Sequence, residues 1–285
     1  MRRPARFAGL FYPRSGRECR QDAETMLSQA RESRPAAPIA GVVPHAGWVY
    51  SGSVAARVIA WLAASTSGAA TVVVVGNDHG GQCRMPTVWP KGTWETPLGD
   101  VPVNATFADE LLSASDLFCR GAREFRDEHS IEVQLPLLAC AFGPELEIVP
   151  IQVPAGDHAA AGDHLGALAA EYADVYVLGT TDLTHYGPNY AFEPSGRGSS
   201  AVRWVKEEND PAMIRRLVAL DAPGVHEEYA AARNACSPGA LTVTLGAARR
   251  LGVQEGVVLD YQTSFDVRPD ESFVGYVGIG YERAP

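Results

Sequence analysis

The sequence predicts a single α/β domain with a central, mainly parallel sheet flanked by helices. Three observations predict it. Short apolar runs at residues 39–43, 71–75 and 175–178 are continuous, not alternating, as expected of strands buried on both faces. Helical patterns lie between them, and this alternation of element types is the signature of a parallel sheet. No internal repeat and no long polar stretch divides the 285 residues, a length that one large domain can hold.

Taken in order, residues 7–13 (FAGLFYP) are apolar and aromatic and are expected to tie the start of the chain to the body. Residues 15–33 read as a helix with Met26 and Leu27 on its apolar face, and 34–38 as a Pro-containing loop. A buried strand at 39–43 leads to a helix at 53–64 with Val54, Val58, Ile59 and Leu62 on one stripe. The β-branched run 71–75 is the strongest strand signal. PTVWP and DVPV, separated by KGTWETPLG, carry prolines that suit edge strands or a hairpin at the sheet margin. Residues 107–112 read as helix. So do residues 130–142, through Ile131, Leu135, Leu138 and Phe142, with Pro136 expected to kink them. A strand at 147–153, an Ala-rich helix at 158–172 and a strand at 175–178 follow. Residues 193–200 (EPSGRGSS) form the most loop-like stretch, either a mobile lid or a linker turn. Helical patterns cover 201–220, broken near Asp210-Pro211, and 237–251; the strand patterns VVLDYQTSF and SFVGYVGIGY close the chain.

Composition excludes several classes. A formal charge of -10, without a basic cluster, argues against nucleic acid or an anionic membrane as partner. The opening MRRPAR is basic, but no apolar region follows it, so a signal peptide is not expected. VAARVIAWLAAS and LLACAF are too short to span a bilayer, and a cytoplasmic location is the expectation. The 5 cysteines are odd in number, irregularly spaced and without a CxxC pair, which points to reduced thiols. Cys140 reads as a small buried apolar residue, Cys19 and Cys119 as inert, and Cys83, four residues after His79, as a spare soft ligand.

Three histidines follow the three best strand runs: His45 in VVPHAGW, His79 in VVVVGNDHGG and His185 in VLGTTDLTHYG. In open α/β sheets, ligands bind beyond the carboxyl ends of the strands, so loops at that edge could bring the three together. Each has a plainer reading. His45 could be a structural hydrogen-bonding residue at a turn, and His79 an incidental residue in a Gly-rich loop. Asp182 could orient His185 or cap a short turn. The hydroxyls of Thr180, Thr181 and Thr184 make this segment unusually polar for packing alone. Glu128, His129 and Glu132 gather titratable groups at a helix start, as dipole-favoured carboxylates or as a pocket acid/base. Cys236, in NACSPGA, opens a helix, a setting that favours the thiolate as nucleophile or as soft metal ligand. Trp48, Tyr50 and Tyr186 flank the histidines and could form an aromatic wall. His158, His164 and His226 have no assigned role.

The chain resembles the Memo family, including the members called AmmeMemoRadiSam system protein B. The motifs that carry the resemblance are AGLFYP, VPHAGWVYSG, ETPLGDVPVN, DEHSIEVQLPLL, TTDLTHYG, CSPGA and VGYVGIGY, in that order along nearly the whole chain. The family is similar in fold to class III extradiol dioxygenases, which bind non-haem iron(II). The resemblance implies that His45, His79 and Cys236 stand at the metal-binding positions. It implies that His185 is the acid/base histidine and that His129 lines the pocket. It also implies a radical S-adenosylmethionine enzyme as a possible partner. Two departures matter. The dioxygenases complete a 2-His-1-carboxylate triad, whereas the third ligand here would be the thiolate of Cys236, which brings copper(I) or zinc into play beside iron(II). The family's Gly-Pro-Ser-His loop reads Gly76-Asn77-Asp78-His79, and Asp78 could bind metal, orient a neighbour or turn the loop.

Three functions compete. One is a mononuclear metal site, iron(II) first, supporting a dioxygenase-like redox reaction on an unknown small molecule or peptide. A second is a metal-free hydrolase or transferase with Cys236 as nucleophile and His185 as base. The third is a non-catalytic module that binds a peptide or handles metal.

Overall fold

The computed structural model describes residues 1–30, 37–64, 66 and 68–283. The expected helical end at 31–33 and most of the loop at 34–38 lie outside the described residues. A short strand, β1 (Arg2–Arg3), precedes helix α1 (Gly16–Gln29), which is capped by the Ser15 hydroxyl. Strand β2 (Pro38–Val43) and strand β3 (Ala70–Asn77) are buried along their whole length and flank helix α2 (Trp48–Ala63). The margin holds β4 (Thr87–Val88), β5 (Thr93–Thr96), β6 (Gly99–Pro102), helix α3 (Ala105–Ser113) and β7 (Cys119–Arg120). Two 3-10 turns, Glu124–Asp127 and Glu132–Gln134, lead into helix α4 (Leu135–Phe142). Then come β8 (Leu146–Val153), α5 (Ala159–Ala169), β9 (Val175–Thr180) and the two-residue β10 (His185–Tyr186). Helix α6 (Ser199–Trp204) runs through a π-turn, Val205–Asn209, into α7 (Asp210–Val218). Helices α8 (Ala222–Ala232) and α9 (Pro238–Arg250) precede β11 (Gly256–Thr263), the short α10 (Ser264–Val267) and β12 (Phe273–Glu282).

The main sheet has the order β10-β12-β2-β9-β3-β8-β4-β7, with β11 on the outer edge of β12. Its centre is parallel as expected: β2, β9, β3 and β8 pair parallel. Its flanks are antiparallel, because β12 runs against β2, β10 and β11, and β4 against β8. The sheet is therefore mixed. The link between β11 and β12 is too short for the crossover that a parallel pair requires. Successive residues of β3 feed opposite faces. Val73 and Val75 join the core under α3, α5, α7, α8 and α9, while Val72 and Val74 join the core under α1, α2 and α4. This two-sided cover explains the unbroken apolar run.

Several elements differ from expectation. Helix α2 begins at Trp48, five residues early. Pro136 sits in the first turn of α4 instead of kinking it, since a first-turn proline lacks no intrahelical partner. TWET, expected as a connection, is β5, paired with β6 in a hairpin that β1 extends. Helix α8 was not anticipated. Cys236 lies just before α9, which starts at Pro238. The loop at 193–198 is tied down: the Tyr186 hydroxyl donates to the Gly196 carbonyl (2.7 Å), and Arg197 pairs with Glu193 (2.7 Å).

Helices α5 and α9 touch backbone to backbone. A Cβ on Gly162 would lie 2.2 Å from the Val243 carbonyl oxygen, and one on Gly246 would lie 2.5 Å from that of Ala159. Gly162→Val should therefore force the helices apart and cost about 1–3 kcal/mol. A lower midpoint in urea unfolding is the expected result; an unchanged midpoint would show that the contact is not needed.

Candidate functional site

The parallel strands deliver the site residues to one edge. His45 follows β2 by two residues, His79 follows β3 by two, and Asp182 to His185 follow β9. His45 is buried, and three contacts fix it. Its backbone N–H donates to Asp182 Oδ1 (2.8 Å), its Nδ1 lies 3.0 Å from the Thr180 hydroxyl, and its Nε2 lies 3.2 Å from Cys236 Sγ. Asp182 thus holds the His45 backbone, while the His185 ring, one of the two options for Asp182, meets the Leu183 carbonyl instead.

His79 is held by Glu128, which is 2 % exposed. The carboxylate takes the His79 backbone N–H (2.9 Å) and meets Nδ1 at 2.9 and 3.0 Å. Burial works against a charged His79, but hydrogen bonds to Cys236 and Glu128 outweigh it and lift the ring to about 9. Burial alone would raise Glu128; the hydrogen bond and charge of His79 reverse this and hold the carboxyl down at about 2. Asp78 turns the loop: its oxygens accept from the Gln82 and Cys83 backbone N–H groups and from the Gln152 amide. Burial pushes the Cys83 thiol up to about 12.

His129 stacks on His79 with ring centroids 4.6 Å apart and planes at 17°. Burial, then the proximity of His45, pushes its imidazole down to about 3, so it is neutral at physiological pH. Phe11 covers its other side, with centroids 4.5 Å apart. The ligand nitrogens of His45, His79 and His129 all lie within 4.8 Å of one another, a cluster able to hold a metal ion.

Cys236 lies beside both His45 and His79. Its Sγ accepts from the Asp182 backbone N–H (3.2 Å) and lies 3.3 Å from the Ser237 hydroxyl. Its own N–H donates to the Asp182 carbonyl (3.0 Å), and its carbonyl accepts from Asn77 (3.0 Å). One loop, after β9, therefore positions both His45 and the thiol. With Nδ1 of each ring engaged by Thr180 or Glu128, His45 and His79 keep Nε2 for the space beside the thiol. Engagement of the second ring nitrogen is what fixes the tautomer and orientation of a metal-ligating histidine.

His185 stands across a cavity of about 610 Å³ whose lining includes His45, His79, His129 and Asp182. Its Nδ1 lies 3.1 Å from the Leu183 carbonyl oxygen. A carbonyl can only accept, so Nδ1 carries the hydrogen and Nε2 keeps a lone pair. Burial pushes this imidazole down, which keeps it neutral. Of the three aromatic residues expected to form a wall, only Tyr50 lines the cavity, joined by Tyr190 and Tyr276. Trp48 is buried with its indole N–H on the Val133 carbonyl (2.9 Å), and Tyr186 stacks on Phe273.

The segment bearing Glu128 and His129 is bolted to the start of the chain. Arg3, 2 % exposed, pairs with the fully buried Glu132 and donates to the Phe125 (2.9 Å) and Glu128 (2.6 Å) carbonyls. Glu132 also accepts from the Phe7 N–H (2.7 Å) and the Tyr12 hydroxyl (2.8 Å). Arg3 gave no signal in the sequence beyond a basic opening.

A family model described as Memo-like protein matches residues 3–280. The chain belongs to the Memo-like family. The MEMO1 family protein of Pyrococcus furiosus is 33% identical over an alignment covering 100% of both chains. That of Thermococcus kodakarensis is 34% identical, covering 97% of this chain and 98% of the relative. Among solved structures, an uncharacterized protein from Escherichia coli K12 matches 85% of this chain and 99% of its own. Its TM-score is 0.53 at 15% sequence identity, a likeness of fold. Among the described residues no helix is long and apolar enough to cross a membrane.

The His79–Glu128 pair sets a pH window for the metal-free protein. His79 is raised from 6.5 to about 9, so its contribution is complete below 6.5 and is lost as pH rises towards 9. Glu128 is lowered from 4.5 to about 2, so its contribution is complete above 4.5 and is lost as pH falls towards 2. The stability gap between wild type and Glu128→Gln should be widest between pH 4.5 and 6.5 and narrow by pH 9. Thermal melts across that range read it directly, and a gap independent of pH would reject the ion pair.

Proposed function

We propose that this Memo-family chain holds one metal ion through His45, His79 and Cys236, iron(II) first and copper or zinc as substitutes, and supports a dioxygenase-like redox reaction. The observation that carries the reading is the convergence of two imidazoles, each engaged at Nδ1, on one thiol at the carboxyl edge of the sheet. Imidazole nitrogen with thiolate sulfur is a donor set compatible with iron, copper(I) and zinc. Iron(II), when bound there, would supply one-electron chemistry towards oxygen and an organic substrate.

The protein's own groups divide the remaining work. Thr180 and Glu128 orient the two ligand rings. His129, neutral and stacked on His79, offers a further nitrogen beside the ligands. His185 takes a proton at Nε2 from a substrate in the cavity and later returns it. Tyr50, Tyr190 and Tyr276 give a small molecule or peptide side chain an apolar wall with polar tips. The family's association with a radical S-adenosylmethionine enzyme makes such an enzyme the partner to seek, and a cytoplasmic setting suits reduced thiols.

One observation favours a second reading. Cys236 Sγ lies 3.2 Å from His45 Nε2, the separation of a Cys–His nucleophile pair. In that case metal-free protein would be alkylated at Cys236 by iodoacetamide with loss of activity.

Metal analysis of anaerobically purified protein separates the two. Wild type should carry close to stoichiometric metal, with His45→Ala and Cys236→Ser each reducing it at least tenfold. Wild-type metal content in both variants would sink the metal site as assigned.

A further inference from the structure

Beneath the His185 strand lies a second polar cluster that the proposed reaction does not use. Asp210 is fully buried, and no ion pair to it exists among the described residues. Its Oδ1 accepts from the Thr184 backbone N–H (3.1 Å) and from the Thr184 hydroxyl (2.5 Å), and its Oδ2 accepts from the Tyr261 hydroxyl (2.8 Å). Asn209 donates its amide to the same Thr184 hydroxyl (2.9 Å). Thr184 thus gives its proton to one residue and receives one from the next. Asn209 also accepts, through its carbonyl, from the Asn234 amide (2.8 Å), two residues before Cys236.

Adjacent residues of a regular α-helix point about 100° apart and cannot readily grip one hydroxyl. Asn209 and Asp210 do so where the π-turn Val205–Asn209 meets α7. Such turns insert extra backbone into a helix and recur at functional sites. The opposite wall is cut to fit: a Cβ on Gly275 would lie 1.9 Å from Asp210 Oδ2. Gly275 also binds the loop through both backbone groups, accepting from the Leu183 N–H (2.8 Å) and donating to the Thr184 carbonyl (3.0 Å). Leu183, whose carbonyl receives the His185 Nδ1 hydrogen, and Thr184, which precedes His185, are therefore clamped from two sides.

We propose that Asn209 and Asp210 are positioning residues, acting through Thr184 to hold His185 with Nδ1 protonated and Nε2 free for the cavity. The inference rests on His185 being the base of the proposed reaction. A buried, unpaired carboxylate is costly unless its hydrogen bonds are complete, so it is an expensive way to secure a loop that only needed packing.

The test is the tautomer of His185 in metal-free protein, read from nitrogen chemical shifts of 15N-histidine-labelled samples and assigned with His185→Gln. Wild type and Thr184→Ser, which keeps the hydroxyl, should show the Nδ1–H form. Thr184→Val and Asp210→Asn should show a mixture of both forms. Tyr261→Phe, which removes a donor that does not touch Thr184, should lower the melting temperature and leave the tautomer as in wild type. Should Thr184→Val not fold, Asn209→Ala decides the matter at the same hydroxyl. A wild-type tautomer in folded Thr184→Val and Asp210→Asn would overturn the proposal. The reading needs neither metal nor substrate, so the clamp can fail while His185 remains the base. An error about the base would appear separately, as unchanged activity in His185→Gln with the clamp intact.

Discussion

The site depends on the register of three parallel strands. Val42 of β2, Gly179 of β9 and Val75 of β3 lie side by side in the ladder. Counting forward from that rung, His45 and Asp182 come three residues on and His79 four. The strands therefore release the two imidazoles and the aspartate that holds His45 at nearly one level. A shift of one residue in any of these strands would flip its side chains and move its loop by about 3.3 Å. Gly179 holds the register tightly, because a Cβ there would lie 2.2 Å from the Thr244 hydroxyl of α9.

Around that rung the chain buries charge where it needs direction. A buried ion pair rarely adds net stability, since desolvation offsets attraction. Arg3–Glu132 is tolerated because Arg3 donates to two carbonyls as well, and Glu132 accepts from Phe7 and Tyr12. The same economy appears at Glu128, which serves the backbone and ring of His79 and the N–H of Ser130 (2.8 Å). Each buried carboxylate ties segments far apart in the sequence. Together they give a polar site the rigidity usually supplied by apolar packing.

Much of this was legible from residues alone. Continuous Val and Ile runs marked β2, β3 and β9, and turn-rich segments after them marked His45, His79 and His185. What stayed hidden depends on long-range partners. The choice of Glu128 for His79 spans 49 residues, and the hydrogen bond of Asp182 to the His45 backbone spans 137. Helix α8 was missed because Pro223-Gly224 reads as a turn, although Asp221 caps it by accepting from the Gly224 N–H. Strand β5 was missed because Gly92 and Pro97 bracket it. Its Trp94, fully buried, lies under the Arg3 guanidinium at 4.2 Å. Neither local pattern nor composition carries such contacts.

The donors have no local nucleus. His45 and Cys236 stand 191 residues apart, and the segment with Glu128 and His129 is secured by Arg3 near the start of the chain. Contacts of such sequence separation form late in folding, after the loop entropy between them has been overcome. A short metal-binding motif can gather its ion while still unfolded and be shaped by it; this arrangement cannot. Under the proposed metal binding, the pocket would be assembled from nearly the whole chain before an ion enters its cavity. The identity of any ion it takes would then be set by what the finished protein meets.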